Sequence, residues 1–192
     1  MTFPEREIRA VFSPATIRVY QAYSHEIADS ALAAQTFVSP PFSMSRFTWI
    51  KPSFLWMIYR AGWGRKDEGQ ARILAIDISH EGFAWAIANS CPSHPEPGMS
   101  AADYAALKER CPVRVQWDPE RDLHHNPLPH RAIQIGLTGD AVQRYVRTWI
   151  KAIEDVTPLA HAIHARVVEG DLDGAKAMLP AERAYQPPAG GT

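Results

Sequence analysis

The sequence has 192 residues, of which 46% are apolar and 21% charged, a balance typical of a globular protein with its own core. Its formal net charge of −1 gives no overall attraction to nucleic acid or to an anionic membrane. It has no apolar run long enough to span a bilayer, and its charged start, MTFPEREIRA, is unlike a signal peptide. With only Cys91 and Cys111, the sequence predicts free thiols and a cytoplasmic protein.

The first half of the chain predicts strands mixed with helices. The segment TIRVYQAY is rich in β-branched and aromatic residues and alternates as a strand does, with Gln21 on an otherwise apolar face. The segment RFTWI predicts a strand that leads into a helix at Pro52, because proline suits the first helical turn. The predicted strands are 8–12, 16–23, 46–50 and 73–78, and the predicted helices are 25–34, 52–61 and 83–88.

The second half predicts longer helices and a flexible end. The predicted elements are helices at 101–110, 139–154 and 155–169, strands at 113–117 and 131–137, and a polar loop at 118–129. Because apolar residues become sparse after about Leu179, we expect a single globular domain over 1–179 and a flexible tail over 180–192. Strands and helices do not alternate strictly, which favours an α+β fold over a doubly wound sheet.

One stretch, residues 46–63, concentrates aromatic and basic side chains and holds half of the six tryptophans. Aromatic residues at this density indicate either core packing or a binding surface. Arg46 and Lys51 flank the end of a strand where a helix begins near Pro52, and the N-terminus of a helix attracts anions. The stretch therefore predicts a site for phosphate or pyrophosphate.

Two glutamines interrupt faces of apolar strands, Gln21 in VYQAY and Gln134 in AIQIG. A buried amide needs hydrogen-bond partners. Each glutamine either makes a structural hydrogen bond to the neighbouring backbone, or the two converge from different strands into a cleft.

Histidines form two groups, His124, His125 and His130 in one and His161 and His164 in the other. A metal site needs several ligands on one side at suitable spacing. Since no third ligand stands at a recognisable spacing, the sequence predicts no metal site.

Five segments carry a resemblance to a known family: REIRAVF, TIRVYQAYS, FSMSRFTWIKPSFLWMIYRAGWG, QARILAIDISHEGFAWAI and VRVQWDPERD…PLPHRAIQIGL. On these segments, which span about 7–163, the chain is identified as a member of the family called domain of unknown function 4291. The family name implies no activity.

A second resemblance implies an activity. The order of elements is similar to that of small bacterial ADP-ribosyltransferase-like domains, and VRVQWDP and PHRAIQIG look like their last two strands. This resemblance implies an α+β fold with a mixed sheet, split around a cleft that binds NAD⁺, with helices at its flanks. It also implies ADP-ribosyl transfer to an acceptor such as RNA, a nucleotide or a protein.

The same resemblance assigns roles to residues. Gln134 stands where such transferases usually carry a glutamate, and His130 would then serve as the base. The NAD⁺-contacting residues would be Arg18, Tyr20, Gln21, Tyr23, Arg46, Thr48, Trp49 and Lys51. The alternative is a non-catalytic module that binds a nucleotide or single-stranded RNA in the same cleft, where aromatic faces beside cations suit bases and phosphates.

Overall fold

Two β-sheets carry the fold in the computed structural model, which describes residues 4–188. The strands are β1 (Arg9–Ala10), β2 (Thr16–Tyr23), β3 (Thr48–Ile50), β4 (Arg72–Ser79), β5 (Ser90–Pro92), β6 (Val113–Arg121), β7 (Pro127–Leu137), β8 (Ile150–Asp155) and β9 (Arg183–Ala184). One sheet has the antiparallel order β2-β4-β8. The other has the order β3-β7-β6-β5, in which β5 is parallel to β6.

Helices pack around these sheets and complete an α+β fold. They are α1 (His25–Ala34), α2 (Phe54–Ala61), α3 (His80–Ala88), α4 (Ala101–Arg110), α5 (Asp140–Arg144), α6 (Thr157–Glu169) and α7 (Leu172–Ala177). Helix α2 begins where the Ser53 hydroxyl accepts a hydrogen bond from Trp56 N, and it ends at Gly62 in the left-handed conformation. These two caps fix the helix directly after β3.

Among residues 4–188, one isolated backbone bridge joins the two sheets. Tyr20 N donates to Lys51 O at 2.7 Å, and Lys51 N donates to Tyr20 O at 3.2 Å, which links β2 to the residue directly after β3. Because the remaining residues of β2 and β3 pair with other strands, a cleft opens between these two strands. The strands therefore form mixed sheets within one α+β fold, as expected for this class, with a cleft between β2 and β3.

Strand β4 is central and is buried on both faces. Leu74, Ile76 and Ile78 belong to the main apolar core, whereas Ile73 and Ala75 belong to a second core beneath α2 and α6. A strand covered on both sides needs apolar residues at consecutive positions. This is why ILAIDI reads as a nearly continuous apolar run.

The predicted helix over 139–154 is wrong in its second half. Helix α5 ends at Arg144, a single π-helical turn (Tyr145–Trp149) follows, and β8 then pairs with β4. Ile150 and Ile153 fit an apolar helical stripe on the sequence alone. Pairing with the open edge of β4 satisfies the backbone of the segment and decides the strand instead.

The polar loop predicted over 118–129 is also mostly strand. Strands β6 and β7 extend through it and leave a short turn at Asp122–Asn126. Asp122 Oδ1 accepts from His124 N at 2.9 Å and from Asn126 N at 2.8 Å, which closes the turn. These local hydrogen bonds close the hairpin, and Leu123 in the turn is buried in the second apolar core.

The C-terminal segment packs against the body of the protein as far as it is described. Strand β9 pairs with β1, and Tyr185 is buried against Phe12, His80 and Phe83. This packing differs from the flexible tail expected over 180–192, of which 189–192 lie outside the described residues. The buried Tyr185 ring and the pairing of β9 with β1 together hold a segment that is otherwise polar.

Candidate functional site

Two adjoining cavities lie at the split between the sheets. The first cavity, of about 600 Å³, is lined by the end of β2, the segment before β3, and β3 itself. The second cavity, of about 470 Å³, lies between α2 and the strands β6 and β7. The two cavities share Trp49, Lys51 and Arg60, so these residues form the wall between them. Volumes of this size suit small molecules and cofactors.

Lys51 is the charged group at the centre of this arrangement. Its side chain is only 7% exposed, and its Nζ makes one long hydrogen bond, to Trp49 O at 3.4 Å. Burial and the positive charge of Arg60 lower the pKa of Lys51 to about 7, and the carboxylate of Asp118 only partly opposes them. Within residues 4–188, no carboxylate forms an ion pair with Lys51.

Gln21 lines one side of the first cavity and hydrogen-bonds to two other residues of its lining. Its Oε1 accepts from the buried Tyr145 hydroxyl at 2.7 Å, and its Nε2 donates to Tyr23 Oη at 2.9 Å and Trp49 O at 3.2 Å. The amide is thus fully hydrogen-bonded while it lines the cavity. Gln21 fixes the positions of Tyr23 and Trp49, which also line the cavity.

Aromatic and cationic side chains occupy the mouth of the first cavity. The rings of Phe47 and Trp49 lie 5.1 Å apart, and Phe47 is 42% exposed. Arg46 is exposed beside them and lines the same cavity with Thr48. The mouth therefore offers a ring face and a positive charge to a ligand.

The second cavity holds a carboxylate that the sequence did not single out. Asp118 accepts from Gln134 Nε2 at 2.6 Å and from Gln116 Nε2 at 2.9 Å. Gln116 and Gln134 face each other across β6 and β7. The sequence prediction put Asp118 in the loop over 118–129. The alternation of VRVQWDP, continued to Asp118, would have placed Gln116 and Asp118 on the same face of a strand.

Arg121 is the second residue that the sequence did not single out. Its guanidinium lies over the ring of Tyr59 at 4.1 Å and that of Trp56 at 5.4 Å, and its Nη1 donates to His125 O at 3.3 Å. Arg121 Nε and Trp56 Nε1 are buried and have no hydrogen-bond partner. In the described part of the chain, Arg121 has no ion-pair partner.

Three predicted site residues line neither of these two cavities. Arg18 forms ion pairs with Asp77 at 2.9 Å and Glu154 at 3.0 Å on the β2-β4-β8 sheet. Tyr20 is buried edge-on against Phe54, at 5.5 Å between ring centroids. His130 lies near the start of β7, where burial and the charge of Arg9 lower its pKa.

The cleft brings the other predicted residues together. Gln21, Tyr23, Arg46 and Thr48 line the first cavity, Gln134 lines the second, and Trp49 and Lys51 line both.

The histidines pack against aromatic rings. His125 and His164 stack on Trp63, with ring centroids at 5.5 and 4.9 Å. Over residues 4–188, no three His, Cys, Asp or Glu side chains are grouped so that they could hold a metal ion. In the same residues, no helix combines the length and apolar character needed to cross a membrane.

Comparison with known proteins identifies a family and no activity. The model of a family described as "Domain of unknown function (DUF4291)" matches residues 7–185. No match was found among curated proteins or among solved structures. The function must therefore be argued from the cleft.

Proposed function

The chain belongs to the DUF4291 family, and because the description of this family states no activity, we propose from the cleft that the protein transfers ADP-ribose from NAD⁺ to an acceptor. The observation that carries the proposal is the position of Lys51 and Arg60 on the wall shared by the two cavities. A dinucleotide has its negative charges in the middle and a nucleoside at each end. A central pair of cations between two cavities matches this charge distribution.

The first cavity takes the adenosine half of NAD⁺ in this proposal. Phe47 and Trp49 offer ring faces for stacking of the adenine, and Arg46 lies beside them. Lys51 and Arg60 bind the pyrophosphate. Binding of an anion restores the charge of Lys51, because a nearby negative charge raises the pKa that burial lowers.

The second cavity takes the nicotinamide ribose. When the bond between C1′ and the nicotinamide nitrogen breaks, nicotinamide leaves with the electron pair and C1′ becomes cationic. The Asp118 carboxylate, fixed by Gln116 and Gln134, stabilises this positive charge. Gln134 Oε1 accepts from a ribose hydroxyl, so Asp118 and Gln134 together fill the place of the glutamate expected at position 134.

Transfer is completed when the acceptor attacks C1′. A lone pair on the acceptor forms the new bond to C1′, and any proton that the acceptor loses passes to water. This scheme does not use His130, which lies outside both cavities.

The second candidate function is non-catalytic binding of a nucleotide or single-stranded RNA. The exposed Phe47 ring, paired with Trp49 beside Arg46, favours it because base stacking and phosphate contacts need no reaction. In this case NAD⁺ or RNA would bind and remain intact.

Calorimetry with NAD⁺ and chromatography of released nicotinamide test the proposal. Lys51→Ala should weaken NAD⁺ binding about tenfold or more, because it removes the central cation. Asp118→Asn should slow nicotinamide release on the order of 100-fold and leave the affinity within about threefold. Lys151→Ala, an exposed lysine outside both cavities, is the matched control and should change neither quantity.

The outcomes separate the two candidate functions. Binding of NAD⁺ without release of nicotinamide would exclude the transferase and favour the non-catalytic binding module. The affinity of that module for single-stranded RNA should fall steeply as the salt concentration rises. Absence of both binding and release would overturn the transferase. Unchanged binding of NAD⁺ and RNA by Lys51→Ala would show that the wall between the cavities is not the anion site.

A further inference from the structure

We infer that the second cavity also binds the acceptor, that Arg121 holds it, and that the acceptor is a phosphate monoester whose phosphate oxygen attacks C1′. This inference rests on the proposed function, because it names the substrate class of the same reaction. It follows from the charges of the second cavity, from the environment of Arg121 and from the groups available to accept a proton.

The second cavity has more positive charge than NAD⁺ requires. Lys51, Arg60 and Arg121 line it, whereas Asp118 is its one lining carboxylate. Both oxygens of Asp118 already accept amide N–H bonds. Lys51 and Arg60 are also shared with the first cavity, but Arg121 lines only the second. With the pyrophosphate on the shared wall, Arg121 remains for a second anion.

Arg121 is held in place without a carboxylate. Its guanidinium lies over the rings of Tyr59 and Trp56, and its one hydrogen bond from Nη1 goes to His125 O. Arg121 Nε is buried without a partner, Nη2 makes no hydrogen bond among residues 4–188, and the adjacent Trp56 Nε1 also lacks an acceptor. An oriented arginine with unused donors is suited to phosphate, which accepts several hydrogen bonds at once.

The lining of the second cavity also limits the kind of nucleophile. No histidine lines it, each oxygen of Asp118 already accepts from an amide, and the pyrophosphate bound beside Lys51 keeps that amine in its charged form. A hydroxyl acceptor needs a base to remove its proton during attack. A phosphate monoester is largely doubly ionised at neutral pH, since its second pKa is about 6, and its oxygen attacks without losing a proton.

The reaction balances without a further reactant. A lone pair on a phosphate oxygen forms the O–C1′ bond as the bond from C1′ to the nicotinamide nitrogen breaks, and neutral nicotinamide leaves with that electron pair. The products are nicotinamide and an ADP-ribosyl phosphodiester.

The test measures nicotinamide release from NAD⁺ with three acceptors: uridine 5′-monophosphate, an oligonucleotide with a 5′-phosphate, and the same oligonucleotide with a 5′-hydroxyl. We expect at least one phosphate compound to accelerate release about tenfold or more over water, and mass spectrometry to find the phosphodiester. The faster of the two phosphate compounds identifies a free nucleotide or a nucleic-acid end as the source.

Substitutions at position 121 link this effect to the arginine. Arg121→Gln should abolish the acceleration and leave NAD⁺ affinity within about twofold, and Arg121→Lys should fall between Arg121→Gln and the wild type. Arg147→Gln, an exposed arginine outside both cavities, is the matched control and should behave as the wild type. If Arg121→Gln fails to fold, Arg121→Lys decides, since undiminished acceleration would contradict a role for the guanidinium fork.

Failure of this inference is distinguishable from failure of the proposed function. If neither phosphate compound releases nicotinamide faster than the hydroxyl oligonucleotide does, the inference is overturned and the transferase remains. Full acceleration in Arg121→Gln would also overturn it. No release with any compound would overturn both.

Discussion

Lys51 is a buried cation that has no ion-pair partner in residues 4–188. Its ammonium group is buried on the wall between the two cavities, next to Arg60, and no described carboxylate neutralises it. A buried, unpaired charge destabilises a fold, and evolution toward stability alone would favour an apolar residue here. The placement is explained if an anionic ligand completes the site.

The first prediction concerns the pH dependence of stability. The folded pKa of Lys51, about 7, lies below its usual value of 10.5, so the unfolded chain binds the proton more tightly between these values. Burial of the charged Lys51 therefore lowers the free energy of unfolding by its full amount below pH 7, and this loss disappears as pH rises toward 10.5. Lys51→Met should therefore stabilise the protein by about 1–4 kcal/mol at pH 7, with the gain shrinking toward pH 10.

Urea denaturation at pH 6, 7, 8.5 and 10 measures this gain, with Lys151→Met as the exposed control. A gain that does not depend on pH would contradict the assignment to Lys51, and so would a loss of stability at pH 7. Lys51→Met should at the same time lose NAD⁺ binding.

At the scale of elements, the aromatic and basic stretch over 46–63 divides into two parts. Helix α2 buries Phe54, Trp56 and Met57 in the interior, which is the packing alternative. Strand β3 and the residues before it present Arg46 and Phe47 to the first cavity. The division occurs at the Tyr20–Lys51 bridge, where the two sheets separate.

Strand β7 supports the first cavity through a glycine. Gly136 faces Trp49 in the register, and a Cβ at this position would overlap the Phe47 ring and lie 3.0 Å from Trp49 Cε2. We predict that Gly136→Ala displaces the Phe47 ring from Trp49 and weakens NAD⁺ binding several-fold. The free energy of unfolding should change by less than about 1 kcal/mol, because the exposed Phe47 ring is free to move.

A double-mutant cycle with Phe47→Ala checks this mechanism by calorimetry. If Gly136→Ala acts through the ring, it should cause no additional loss of affinity in the Phe47→Ala background. Additive losses would contradict the proposed contact.

Element boundaries were predicted well where local chemistry decides them. The predicted strand over 16–23 and the predicted helices over 25–34 and 101–110 have the bounds found in the structure. Two of the errors fall where pairing partners decide, in β8 and in the hairpin of β6 and β7. A backbone that pairs with a distant strand leaves little trace in its own residues.

At the scale of the whole molecule, the C-terminal segment contacts both the region of β1 and the start of α2. Glu182 Oε1 accepts from Phe54 N at 2.7 Å at the start of α2, and the Glu182 backbone carbonyl accepts from Arg9 Nη2 at 3.0 Å. Tyr185 N donates to Ile8 O at 2.8 Å. The segment therefore binds the N-terminus of α2, a helix that lines the second cavity.

The third prediction is that the contribution of Glu182 to stability decreases as pH rises. Burial raises the pKa of Glu182 to about 8, and the neighbouring carboxylate of Glu120 adds to the shift, while Phe54 N and Arg9 oppose it. The folded state thus holds the proton more tightly than the unfolded chain. The contribution of protonated Glu182 to the free energy of unfolding is fully present below about pH 4.5 and is lost as pH rises through about 8.

Glu182→Gln should remove this loss, because glutamine keeps an acceptor for Phe54 N and has no charge to bury. Denaturation at pH 5, 6.5 and 8 should show the variant gaining stability relative to the wild type as pH rises. A constant difference over this range would contradict the role of Glu182, and Glu169→Gln, an exposed glutamate on α6, is the control.

The sequence by itself determined the α+β class, the family, the β2 strand and the concentration of cations near Lys51, because these depend on residue type and local periodicity. The tertiary structure decided where those residues lie. It placed Lys51 between two cavities, brought Asp118 to Gln134 and placed Arg121 over the rings of Tyr59 and Trp56, with its Nε unpartnered. These contacts join residues far apart in the chain, and only the pairing of strands and the packing of α2 bring them together.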